Sequence, residues 1–126
     1  MNDHQENLLD HYVNPRNFGT PAFDSNASAK LLNTSCGDEL TVFLKINNGI
    51  VDDISFIGEG CSIAIGSASQ LYETLIGKDI RSILQKSEST PEDLIGIPLT
   101  VSRKKCASLS LEAVKQAIQQ YNKDNR

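Results

Sequence analysis

Apolar and polar residues alternate with a period of two in the run that starts at Glu39, and the spacing becomes helical from Cys61. From Glu39 to Ile46, Leu40, Val42, Leu44 and Ile46 fall on one side and Glu39, Thr41 and Lys45 on the other, as in a half-buried strand. Asn47-Asn48-Gly49 supplies residues that tolerate positive φ. Ile50 to Ile57 follows with Ile54 and Phe56 on one face, so the two runs predict a hairpin. Ala29 to Thr34 predicts a shorter, weakly patterned strand, and residues 22–28 a loop. Together these give an antiparallel meander with one covered face.

After Cys61, Ala64, Ala68, Leu71, Tyr72 and Leu75 lie at helical spacing, and Gly77 is a natural stop. The small residues in its first half (Ala64, Gly66, Ser67, Ala68, Ser69) would let this helix approach a neighbouring backbone closely. Near the start of the chain, Leu8, Leu9 and Tyr12 share the face of a short helix. It should end near Asn14-Pro15, because proline biases its predecessor away from helix. Asp79 to Lys86 predicts another short helix, and Thr90 as cap with Pro91 in first position predicts a further helix start. Leu111, Val114, Ile118 and Tyr121 form the stripe of a C-terminal helix, with Asn122 to Arg126 expected to fray. No repeat or linker divides the chain, so residues 1–126 read as a single domain.

Hydrophobic residues make up 39% of the chain and aromatic residues 6%, with no Trp, so the core must come mainly from Leu, Ile, Val and Ala. Twelve basic against 16 acidic residues leave a net charge of −4, which argues against a broad nucleic-acid surface. Arg103-Lys104-Lys105 is the one local basic run. No apolar stretch approaches the roughly 20 residues of a membrane-spanning helix. The polar start, Met1 to Asn7, lacks the layout of a secretion signal, and an odd count of three cysteines suits a reducing compartment. The expectation is a cytoplasmic protein.

Chemistry concentrates at the cysteines: Ser35-Cys36-Gly37-Asp38, Gly58-Glu59-Gly60-Cys61-Ser62 and Arg103-Lys104-Lys105-Cys106. Each falls at a junction between elements. Cys36 precedes the best strand, Cys61 opens a helix, and Cys106 sits just before or within the first turn of the last one. Helix starts favour thiolate over thiol, so Cys61 and Cys106 are expected to ionise more readily, Cys106 with added help from Lys104 and Lys105. Thiolates with a carboxylate suit a divalent metal or an iron–sulfur unit. No Cys-x-x-Cys pair is present, and a small buried apolar thiol remains an alternative for each. His4 and His11 read as solvated, and the Gly58-x-Gly60 pair lacks the later residues of a phosphate loop.

Taken in order, these motifs resemble the scaffold proteins of iron–sulfur cluster assembly, the IscU/SufU/NifU N-domain family. The matching stretches are Asp10-His11-Tyr12-Val13-Asn14-Pro15-Arg16-Asn17-Phe18-Gly19, Cys36-Gly37-Asp38, Gly58-Glu59-Gly60-Cys61-Ser62-Ile63-Ala64 and Cys106-Ala107-Ser108-Leu109. The resemblance implies an α+β fold, a small antiparallel three-stranded sheet with helices packed on one face. It implies that Cys36, Asp38, Cys61 and Cys106 meet to bind zinc or to hold iron and a forming 2Fe-2S cluster. It further implies that Cys36 or Cys106 accepts persulfide sulfur from a cysteine desulfurase, with Arg103 and Lys105 as auxiliary cations, for delivery to apo iron–sulfur acceptor proteins. A zinc-dependent sulfurtransferase and a non-enzymatic scaffold are both open on this basis, and a structural zinc-binding interaction domain is the alternative. Lys105 stands where the IscU-like branch carries histidine, and Arg103-Lys104-Lys105-Cys106 looks like the Arg-x-Lys-Cys of the SufU-like branch. Yet Cys61 and Cys106 are 45 positions apart, without the extra SufU-like segment.

Overall fold

The structure, a computed structural model, describes residues 2–125. Its elements are α1 (Asp3–Val13), β1 (Ala27–Asn33), β2 (Asp38–Asn47), β3 (Ile50–Glu59), α2 (Ser62–Leu75), α3 (Ile80–Leu84), α4 (Thr90–Ile95) and α5 (Val101–Asp124). The alternating run is β2, the central strand of an antiparallel sheet ordered β1-β2-β3. Val42 pairs with Ala29 on one side and Phe56 on the other, and Leu44 with Ala27 and Ile54. Asn48 and Gly49 both take positive φ at the β2–β3 turn, as a two-residue hairpin of this hand requires.

Leu40, Val42, Leu44 and Phe56 are fully buried on one face of the sheet. α5 lies across β1 and β2, and α2 meets β3. Leu71, Tyr72, Leu111, Val114 and Ile118 fill the same core. Each large aliphatic side chain so buried contributes about 1.5–3 kcal/mol, so this layer supplies the main drive for the fold. The Tyr72 hydroxyl, also buried, donates to the Ser110 carbonyl at 2.7 Å and joins α2 to α5. The expected class, a three-stranded antiparallel sheet with helices on one face, is the one observed.

The close approach expected of α2 occurs against α1. A Cβ on Gly66 would lie 2.5 Å from Leu8 Cδ1 and 3.1 Å from the Leu8 carbonyl oxygen. The chain after α1 then runs along the free edge of β3. Phe56 N–H donates to the Asn17 carbonyl at 2.9 Å, and Gly19 N–H to the Phe56 carbonyl at 2.8 Å. These two bonds satisfy the backbone groups that Phe56 would otherwise leave unpaired on that edge. Phe18 stacks edge-on against Phe56, which does the same with Tyr72.

Several local expectations are corrected. In α1 it is Leu8 and His11 that are buried, while Leu9 and Tyr12 are 44% and 40% exposed, because α2 meets the helix along the 8/11 line. β1 begins at Ala27, inside the predicted loop, because its partner strand is long enough to pair that far. α4 is preceded by Ser89 as its cap, with Thr90 its first residue. α5 continues to Asp124 where fraying was expected from Asn122, and Arg126 lies outside the described residues.

Candidate metal centre

Strand register brings the cysteine-bearing junctions to one end of the sheet. Asn33, the last residue of β1, pairs with Asp38, the first of β2, and Glu39 pairs with Glu59 at the end of β3. The turn that carries Cys36 and the junction that carries Cys61 therefore lie side by side. Cys36 N–H and Gly37 N–H both donate to the Asn33 carbonyl, at 3.2 and 2.8 Å, and Gly37 takes a positive φ of 75°. Cys61 occupies the cap position of α2 with extended backbone, and its side chain makes no capping bond. Its N–H donates to Asp38 Oδ1 at 3.1 Å.

Cys36, Asp38 and Cys106 converge. One ligand atom from each lies within 4.8 Å of the other two. The sulfurs of Cys36 and Cys106 are 3.1 Å apart. Asp38 is 1% exposed, and its Oδ2 has no hydrogen-bond partner. A buried oxygen left without a donor costs about 1–3 kcal/mol, a penalty that a cation beside it would remove. Soft sulfur atoms and a carboxyl oxygen together form a donor set for Zn²⁺ or iron, so the residues present fit such a group. Cys61 stands outside this trio, half-buried at its rim. It is near enough that its charge opposes ionisation of Cys106.

Cys106 differs from its sequence reading. α5 begins at Val101, where the Thr100 side chain accepts from Arg103 N–H, so Cys106 lies in the second turn and not at the helix start. It is completely buried, and its thiol is free, with Cys36 Sγ at 3.1 Å and the Ser102 carbonyl at 3.5 Å as alternative acceptors for its one proton. Burial first, then the Cys36 and Asp38 side chains and the charges of Cys61 and Asp38, push the thiol well above the usual range. The expected gain in ionisation is therefore reversed, because the first-turn N–H groups are too far away and desolvation dominates. Arg103 and Lys105 are exposed on the same helix. Lys105 borders a shallow groove with Leu32, Asn33 and Ser108.

Sequence reasoning missed Asn33. Its side-chain amide lies 3.5 Å from Cys36 Sγ and 3.8 Å from Cys106 Sγ, and its Oδ1 accepts from Ser35 N–H. The available signal was an Asn opening a tight turn three residues before a cysteine. His11 was expected to be solvated and is 4% exposed. Its Nδ1 is 2.7 Å from Ser69 Oγ, which also accepts from Arg16 N–H at 2.8 Å. His11 thus pins the end of α1 to α2 and takes no part in the ligand set.

The NifU-like N terminal domain family matches residues 3–126. The chain belongs to this family. It is 33% identical to the zinc-dependent sulfurtransferase SufU of Bacillus subtilis, over 88% of this chain and 86% of that protein. It is 34% identical to the iron-sulfur cluster assembly scaffold protein IscU of Aquifex aeolicus, over 94% of this chain and 76% of that protein. The fold is shared with the N-terminal part of a nitrogen-fixing NifU-like protein from Brucella abortus. There the TM-score is 0.76 at 21% identity, covering 97% of this chain and 94% of that one. Membership of the IscU/SufU scaffold family is thus established. Among the described residues, no helix is long and apolar enough to cross a membrane.

Proposed function

We propose that this protein accepts persulfide sulfur from a cysteine desulfurase at Cys36 and holds zinc, or iron of a forming 2Fe-2S cluster, through Cys36, Asp38, Cys61 and Cys106. The observation that carries this reading is the convergence of two sulfurs and a buried carboxyl group, one of whose oxygens has no partner. Exposure divides the roles. Cys36 is open to a partner, whereas Cys106 is completely buried and serves as an internal ligand. Cys61, at the rim and hydrogen-bonded through its backbone to Asp38, completes the set by a side-chain rotation.

In the transfer, the Cys36 sulfur attacks the outer sulfur of the desulfurase persulfide. A bond forms between Cys36 Sγ and that sulfur, the sulfur–sulfur bond on the desulfurase breaks, and the Cys36 proton ends on the departing thiolate. Asn33 holds the receiving sulfur from behind. Arg103 and Lys105, exposed on α5, draw the anionic persulfide and the desulfurase surface towards the turn. Zinc, when bound, keeps its sulfur ligands deprotonated. Delivery would be to apo iron–sulfur proteins in the cytoplasm, where free thiols persist.

The test is a desulfurase assay with and without this protein. The expected result is faster cysteine turnover and a sulfur adduct on Cys36. No stimulation together with no adduct on any thiol overturns the reading. Anaerobic reconstitution separates the two cargoes. A cluster that transfers to an apo-acceptor marks a scaffold, and stoichiometric zinc without a cluster marks a sulfur acceptor.

A further inference from the structure

The Cys36 and Cys106 sulfurs are closer to each other than ligand spacing alone demands, and they differ completely in access. They are 3.1 Å apart, Cys36 on an exposed turn and Cys106 sealed in the second turn of α5. The Asn33 amide points at both sulfurs and holds the pair in register. We infer that this pair is a resolving dithiol, in which buried Cys106 attacks a persulfide carried on Cys36, releases the outer sulfur as sulfide, and leaves a Cys36–Cys106 disulfide.

The inference rests on the acceptor reading for its natural sulfur source, and its geometry favours one of two possible products. Attack on the outer sulfur of a persulfide only moves that sulfur, whereas attack on the inner sulfur expels it. Cys106 Sγ is in contact with Cys36 Sγ, which becomes the inner sulfur. Cys36 is exposed and Cys106 is buried, so an added sulfur has room on the solvent side and the inner sulfur stays within reach of the Cys106 thiol. The balance closes without another reagent. A bond forms between the Cys106 and Cys36 sulfurs, and the bond from Cys36 to the outer sulfur breaks. The anionic outer sulfur first takes the proton of the buried Cys106 thiol, which frees the Cys106 thiolate to attack, and then leaves with the bonding pair as hydrogen sulfide. The two cysteine sulfurs are oxidised together by two electrons, and the outer sulfur is reduced by two. Each chain therefore makes one sulfide and stops until an external dithiol reduces the disulfide.

The experiment uses the full chain, reduced, freed of metal by chelation and checked by circular dichroism for retained fold. One portion is loaded by a cysteine desulfurase with cysteine and another by inorganic polysulfide. Both are desalted and followed without reductant. Sulfide is measured in solution, and the chain by intact and peptide mass spectrometry. The expected result is one sulfide per loaded chain, a Cys36–Cys106 cross-link, and a rate independent of protein concentration. In Cys106→Ser the adduct should remain on Cys36 and release should slow by at least about tenfold. A persistent adduct on wild-type Cys36, a cross-link to Cys61 instead, or equal release from Cys106→Ser overturns the inference. So does a rate that scales with protein concentration. If Cys106→Ser takes sulfur from polysulfide but never from the desulfurase, the acceptor reading fails, while the polysulfide arm still decides the release step.

Discussion

Asp38 Oδ1 accepts the backbone N–H of Cys61 at 3.1 Å, so one carboxyl group ties the start of β2 to the start of α2. Its other oxygen has no partner in a nearly sealed position. The same side chain thus fixes the frame of the site and offers it a ligand.

Gly60 leaves room for that carboxyl group. A Cβ there would meet Asp38 Oδ1 at 2.8 Å and Ala64 Cβ at 3.2 Å. Gly60→Ala is expected to displace Asp38 while leaving the sheet intact, weakening zinc binding by roughly tenfold, as for other residues that orient a ligand. A competition titration against a chromogenic chelator measures this. Unchanged affinity would mean that Asp38 is not positioned by this contact.

Metal removal should leave the fold standing. The core of Leu40, Val42, Leu44, Tyr72 and Val114 closes within the sheet, α2 and α5. The expected outcome of chelation is a far-ultraviolet circular dichroism spectrum that barely changes. Collapse of the spectrum would instead favour a structural zinc domain, the alternative reading of the sequence.

Much of the fold could be read along the chain because its signals are local. β2 alternates cleanly, the Asn47-Asn48-Gly49 turn fixes its hairpin, and the small residues of α2 mark its close contact with α1. The site was legible as residue types but not as an environment. Cys106 looked like a helix-start thiol because Val101 to Lys105 carry no buried stripe, yet the Thr100 cap starts the helix a turn earlier. The burial of His11 depends on Ser69, 58 positions away, and Asn33 reaches Cys106 across 73 positions. Such pairings follow from strand register and helix packing, which no local pattern records.

Stability should fall as the solution is acidified through the histidine range. Burial, then the Arg16 charge, hold His11 below its ordinary value of 6.5, against weaker opposing effects of Glu73 and Asp10. The unfolded chain therefore binds a proton that the folded chain resists. This contribution is intact above pH 6.5 and is lost as pH falls towards the depressed folded value. Urea unfolding at pH 7.5 and 5.5 should show lower stability at the acid end, with a smaller difference in His11→Asn. An equal pH dependence in the variant would contradict this.

Gly66→Ala sets two effects against each other. Alanine gains about 1 kcal/mol of helix propensity over glycine. The new methyl group must push into Leu8 and its backbone oxygen, and such overpacking costs about 1–3 kcal/mol. The clash with backbone cannot be relieved by a side-chain turn alone, so the variant should be less stable by about 1 kcal/mol. Urea midpoints give the value, and a stabilised variant would show that α1 moves away freely.

The claim that Cys36, Asp38, Cys61 and Cys106 form one centre is tested most directly by X-ray absorption at the zinc edge of the zinc-loaded chain. The predicted result is one zinc per chain in a four-coordinate shell of three sulfurs and one oxygen, with the oxygen contribution altered in Asp38→Ala. A shell with fewer than three sulfurs, or no stoichiometric zinc, would contradict it.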